Sequence, residues 1–331
     1  MKNTTVRLGL ALALTLGLSA CASAPEPGTS TDTEPGSPLK AVATTTQICD
    51  YLTQISHHAE EALDLTCLLA PNASAHEHEM TPQQMQALSQ ADYLFLNGVD
   101  LEHFLDNAIE SSGFQGTSVD TSRGVDVRPW PFPGEDGEAP EFTHDPHIWT
   151  SPKNAKIQVH NIVDALAQDD PSWRQAGEHY LQQLKDLDSW VGTSMASVPK
   201  AKRVLFTSHD AFGYFSQDYD VTFIGSALSD FNNQQDATSA HIEAAATQVR
   251  ESGATAIFAE NSNNSKSIEA IARAAGVRAI TDSDALYGDS LGVPGSQGET
   301  YIGSILHNVS TLLKAWGGEP APIPVGLDAT R

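Results

Sequence analysis

Cationic residues are scarce in this chain: 18 Lys and Arg stand against 42 Asp and Glu, for a formal charge of −24. A surface of that sign repels phosphate, which argues against a nucleic-acid partner and favours cations or cationic proteins. Long apolar runs are missing too. The run at the start, Leu8 to Leu18, falls short of the ~20 residues that a membrane span requires. Catalytic signatures are few: there is no phosphate-binding glycine loop and no GxGxxG fingerprint, and the letters GxSxG occur once, in GDSLG at residues 288–292. HEHE, beginning at His76, is not the HExxH helix motif, because its second histidine comes two residues early and on the wrong helix face. Glutamates such as Glu77, Glu79 and Glu260 read as solvated or hydrogen-bonded acids rather than general bases. An enzyme is not expected.

Cysteine is limited to Cys21, Cys49 and Cys67. The first closes a basic start (Lys2, Arg7), an apolar run and the tetrapeptide LSAC, the pattern of an export signal cut before a lipid-bearing cysteine. Residues 1–20 are therefore expected to be a signal peptide and Cys21 the lipidated end. Residues 21–38, rich in Pro, Ser, Thr, Gly and acid, cannot bury a core and read as a tether. An exported, lipid-anchored body at the outer face of the cell membrane or in the periplasm follows. In that oxidising setting a Cys49–Cys67 bridge is expected over two buried thiols; its loop of about 18 residues would stabilise by roughly 3 kcal/mol.

From Leu39 onward, short apolar strands alternate with amphipathic helices, the rhythm of a parallel sheet layered by helices. The expectation is an α/β protein. Gly124 to Asp145 interrupts with four prolines and three glycines, a loop longer than a compact domain normally carries. Beyond it, PSWRQAGEHYLQQLKDLDSWVGTSMASV reads as one helix of about 28 residues and ~40 Å, with Pro171 in its first turn. It is expected to connect an N-terminal domain (39–168) to a C-terminal one (200–320) as a rigid link over 169–199. Each domain reads as a doubly wound parallel sheet of (βα)4 type. Residues 321–331 form a tail, packed or frayed.

Ligands of open parallel sheets bind beyond the carboxyl ends of the strands. The polar residues that follow strands are His76 and His78 in APNASAHEHEM, His144 and His147 in THDPHIWT, His209 in FTSHDAFGYF, and Asp282, Asp284 and Asp289 in ITDSDALYGDSLG. If the halves face one another, these converge on one cleft, and three histidines with one aspartate would fill a tetrahedral metal shell. Spacing leaves the choice within each histidine pair open. His76 and His78 would sit ~6–7 Å apart in an extended segment, too far for an easy pair on one ion. Pro146 biases Asp145 to an extended conformation without deciding between His144 and His147. His57 and His58 follow the first predicted helix, where imidazolium suits the carbonyl end and a minor surface metal site is conceivable. His103, His160, His179, His241 and His307 fall in helical patterns and read as surface or core polar residues. Trp149 is expected to pack beneath the second ligand, and Tyr287 near the fourth.

At these residues the sequence resembles the metal-binding lipoproteins that feed zinc or manganese to ABC importers, the cluster A-I solute-binding proteins. APNASAHEHEMTPQQMQALSQADYLFLNGVDLEHFL, DPHIWTSPKNA, TSHDAFGYF, and LYGDSLG with ETYI downstream carry the resemblance, in order, over roughly residues 39 to 316. It implies His76, His147, His209 and Asp289 as ligands, with His78 and His144 at most accessory. It also implies two domains joined by a rigid helix with the metal in the cleft between them. His78 stands where the family usually has an aromatic residue, Ser151 where it often has aspartate, and the loop before His147 is acidic rather than histidine-rich. The implied partners are a permease with its cytoplasmic ATPase and a possible metallochaperone, and a monomer is expected. Three imidazoles and one carboxylate favour Zn2+ over Mn2+. The alternatives are a manganese or iron carrier of the same importer class, or a surface adhesin whose metal is structural.

Overall fold

The computed structural model describes residues 37–76, 78–130, 143–228 and 238–328. The chain divides into a unit up to Ser37 and a body, Pro38–Arg331. The expected signal peptide, Cys21 and the tether up to residue 36 lie outside the described residues, as do residues 131–142 of the acidic loop. Among the described residues no helix is long and apolar enough to cross a membrane.

The first half of the body is a four-stranded parallel sheet in the order β2-β1-β3-β4, with β1 at Leu39–Ala43, β2 at Leu63–Cys67, β3 at Tyr93–Leu96 and β4 at Thr117–Asp120. Burial follows strand order. The central LKAVA and YLFL are almost wholly covered, whereas the edge strands LDLTC and TSVD stay half open, as expected when helices cover both faces of the sheet's middle. The helices start where side chains satisfy their first amides. Thr45 accepts from the Ile48 amide to open α1 (Thr46–Ser56), and Thr81 and Gln84 form a reciprocal capping box at α2 (Pro82–Ser89). A short α3 (Asp106–Ser112) precedes β4, and α4 (Pro152–Leu166) follows the acidic loop with Pro152 in its first turn.

The connecting helix α5 spans Ser172–Met195, ~36 Å long and one turn shorter than the sequence suggests. One face carries Trp173, Tyr180, Leu184, Leu187, Trp190 and Val191, all within a core that runs unbroken from β1 to Trp316 of α9 (Tyr301–Trp316). Bending α5 would therefore open a core that both halves share.

The second half alternates β5 (Val204–Thr207), α6 (Gly213–Asp218), β6 (Thr222–Ser226), α7 (Ser239–Ser252), β7 (Ala256–Phe258), α8 (Lys266–Ala275) and β8 (Arg278–Ile280). Here the structure departs from a single four-stranded sheet: β5–β6 and β7–β8 form two separate parallel pairs. β5 and β7 lie side by side, and at their carboxyl ends side chains cross the seam. The Glu260 amide donates to Ser208 Oγ at 3.1 Å, and the His209 amide donates to Glu260 Oε1 at 2.9 Å.

The described part of the tail, residues 321–328, packs on α5. Trp190 Nε1 and Gln183 Nε2 of α5 donate to the Ala321 and Gly326 carbonyls at 2.9 Å each, and Leu327 of the last turn, α10 (Val325–Asp328), is fully buried. Cys49 of α1 and Cys67 of β2 are joined by a disulfide, with their Cα atoms 5.7 Å apart.

Candidate metal centre

Four segments that leave the sheets meet between the halves. His76 sits in the loop between β2 and α2, and His147 at the turn before α4. His209 lies two residues past β5, and Asp289 in the stretch between β8 and α9. One ligand atom from each of these four lies within 4.8 Å of every other. Asp289 Oδ1 is 2.8 Å from His209 Nε2 and 3.7 Å from both His76 Nε2 and His147 Nε2, while the latter two are 3.0 Å apart. A tetrahedral zinc with bonds of about 2.0–2.1 Å holds its ligand atoms roughly 3.3–3.4 Å apart, so the observed separations bracket what one small cation requires. All four side chains are at most 3% exposed.

Two of the three imidazoles have a carboxylate beside Nδ1. His147 Nδ1 is 2.8 Å from Asp145 Oδ1, which also accepts from the His147 amide at 3.0 Å. His209 Nδ1 is 2.8 Å from Glu260 Oε2. A carboxylate on Nδ1 assigns the proton there and leaves the Nε2 lone pair toward the cluster. Asp289 is held from both sides: its Oδ2 lies 3.4 Å from Ser74 Oγ, and its carbonyl accepts from Gln47 Nε2 at 3.1 Å. The preceding carbonyl, of Gly288, accepts from Trp149 Nε1 at 2.8 Å. With Oδ2 turned to Ser74, Asp289 offers the cluster a single oxygen.

The charges follow the same layout. Burial pushes His147 down to about 4, against the pull of Asp145. His209 is also buried, which opposes its charge, but the carboxylates of Asp289 and Glu260 outweigh that and raise it well above the usual imidazole range. Burial would raise Asp289; the neighbouring His209 and His76 overcome it and hold the carboxyl well below its ordinary value.

Comparison with known proteins decides the family. Residues 41–315 match the family described as ZnuA, zinc-uptake complex component A, periplasmic. The chain belongs to this family. The manganese-binding lipoprotein MntA of Halalkalibacterium halodurans is 29% identical over 285 residues, covering 85% of this chain and 89% of the relative. The zinc-binding protein TroA of Treponema pallidum is 28% identical over 286 residues, with 85% and 89% covered. The solved structure of periplasmic zinc-binding TroA from Treponema pallidum superposes with a TM-score of 0.72, over 85% of this chain and 99% of that one. A Mn-bound periplasmic metal-binding protein from Candidatus Liberibacter asiaticus, 20% identical, shares the fold with a TM-score of 0.69. The ZnuA family consists of substrate-binding proteins of ABC transporters, and this chain is a metal-binding member of that class, not an enzyme.

In this ZnuA-family chain the remaining polar candidates stay outside the cluster. His78 Nε2 turns to Gln84 Oε1 at 3.1 Å and its ring meets Phe104 edge-on at 5.2 Å. His144 is exposed, with Thr143 Oγ1 on its Nδ1. Asp282 and Asp284 lie in an exposed turn, and Glu77 is outside the described residues. His58 meets His179 at the surface, with ring centroids 4.6 Å apart and the planes tilted by 52°. Trp149 packs edge-on against His147 at 5.3 Å, and Tyr287 against His307 at 5.1 Å. Ser151 donates to Asp218 of α6, so where the resembled family often carries an aspartate, the acid comes from the other half.

Sequence reasoning missed the roles of Asp145, Glu260 and Ser74. Asp145 was within reach, since an aspartate two residues before a histidine commonly accepts from that residue's amide. Glu260 was not, because its closeness to His209 depends on β5 and β7 being neighbours.

Proposed function

We propose that this protein captures Zn2+ outside the cytoplasm, with His76, His147, His209 and Asp289 as the four ligands, and delivers it to the permease of an ABC importer driven by a cytoplasmic ATPase. The observation that carries this reading is the donor set: three buried imidazole nitrogens and one carboxylate oxygen. Zn2+ accepts such a shell with four ligands, whereas Mn2+ favours a larger share of oxygen. Four protein ligands also leave no open position for an activated water, which suits carriage of an ion rather than catalysis. Relatives named for manganese and for zinc both match this chain, so the metal is argued from the site itself. The lipid anchor at Cys21 belongs to the same proposal, because a carrier that feeds a permease gains from being held at the membrane.

The test is competition with a chelator on the body lacking the tether, titrating zinc and manganese against wild type, His147→Ala and His144→Ala. One tight zinc that His147→Ala loses and His144→Ala keeps is expected, on a body whose circular dichroism is unchanged by metal removal. Tighter manganese would overturn the metal assignment. Unfolding on stripping would mean a structural ion.

A further inference from the structure

We infer that Arg128 positions His147, and that the acidic loop's stem serves to bring this arginine to the ion site. The inference rests on His147 being a ligand. The stem is a short antiparallel ribbon: the Trp130 amide donates to the Thr143 carbonyl and the Asp145 amide to the Arg128 carbonyl, both at 2.9 Å, with Pro129 bridged to His144. Arg128 and Asp145 are therefore opposite one another by backbone register. Their side chains meet as well, Nη1 donating to Asp145 Oδ2 at 2.9 Å.

The carboxylate of Asp145 is divided. Oδ2 takes the guanidinium, while Oδ1 takes both the amide and the Nδ1 of His147. At 2% exposure that acid cannot be left with an unpaired oxygen without a large desolvation penalty. Without Arg128 the carboxylate would rotate or admit water, and either movement reorients the imidazole it holds.

Arg128 is itself fixed from the opposite half. Its backbone amide donates to Tyr214 Oη at 3.0 Å, that hydroxyl donates to the Asp145 carbonyl at 2.7 Å, and the guanidinium lies over the Tyr214 ring at 5.5 Å. Gly213 leaves room for this: a Cβ there would stand 1.5 Å from Arg128 Nη1 and 2.4 Å from Asp145 Oδ2. A surface ion pair of ordinary kind would involve neither a buried shared acid nor a glycine cleared for it. The planar guanidinium meets the stacking and the hydrogen bond together, which an ammonium does not.

The experiment measures zinc loss to excess chelator from the full chain, together with the visible spectrum of the cobalt-loaded protein. Wild type, Arg128→Ala, Arg128→Lys, Gly213→Ala and Lys153→Ala are compared. Lys153 pairs with Asp218 at the other end of α6, at 3.0 Å, and is the control. Arg128→Ala and Gly213→Ala should speed zinc loss by roughly 10–100-fold, the usual effect of removing an outer partner of a ligand, and shift the cobalt bands. Arg128→Lys should recover part of the rate, and Lys153→Ala should match wild type. Unchanged rate and bands in Arg128→Ala, or an equal change in Lys153→Ala, would overturn this inference alone. A wild type that takes up neither zinc nor cobalt would overturn the ion site with it.

Discussion

At the scale of single residues, the centre is defined by which atoms are already committed elsewhere. Glu260 accepts from the His209 amide at Oε1 and keeps Oε2 2.8 Å from Nδ1, so in the proposed site it would aim a ligand rather than serve as one. Glu260→Ala should keep the fold, since the core surrounds the strand ends, yet weaken zinc binding by about 10–100-fold in chelator competition. An unaltered affinity would mean that His209 is oriented by packing alone. Glu102 is a different case. Burial pushes this carboxyl up to about 7, against the hydrogen bonds it accepts from Thr44 and from the Asn97 and Gly98 amides. A folded value above the unfolded one means that the stability it contributes is complete below pH ~4.5 and lost as pH rises through about 7. Denaturant midpoints of wild type should therefore decline over that window, and Glu102→Gln should flatten the decline.

At the scale of elements, contacts between helices decide how firmly the halves are joined. α4 and α5 approach so closely that a Cβ on Gly177 would lie 2.3 Å from Val163 Cγ2. Gly177→Ala should destabilise by about 1–3 kcal/mol through overpacking, seen as a lower urea midpoint with unchanged slope. An equal or higher midpoint would show that the helices can separate freely. The Cys49–Cys67 bridge ties α1 to β2 across a sequence separation of 18. Reducing it should cost about 3 kcal/mol of stability while leaving zinc bound, because neither cysteine belongs to the four-residue cluster. The long helix and the strand runs LKAVA and YLFL were legible from apolar period. The split of the second sheet into two pairs was not, since β7 and β8 are three residues each and their pairing depends on neighbours far away in sequence.

At the scale of the whole molecule, one core passes from the first sheet through α5 into α9. A shared core of this kind predicts that the stripped body keeps its circular dichroism, as the proposed carrier role requires, whereas unfolding on stripping would point to a structural ion. Contributions from both halves, with His76 and His147 before α5 and His209 and Asp289 after it, make the centre a property of their joint packing. Removing any one segment would leave the cluster with fewer than four members.

The sequence by itself determined the α/β alternation, the connecting helix and the kinds of group that follow the strands, because these depend on local period, capping and residue chemistry. Its ordered motifs also implied the four residues that the fold brings together. Spacing alone could not choose between His144 and His147. Tertiary structure sets the two apart, through a ribbon that leaves His144 exposed and a buried Asp145 that holds His147 within the four-residue cluster. It likewise decided Glu260's contact with His209, the docking of the tail on α5 and the meeting of Arg128 with Tyr214. Each joins residues whose nearness comes from packing, which no local pattern along the chain encodes.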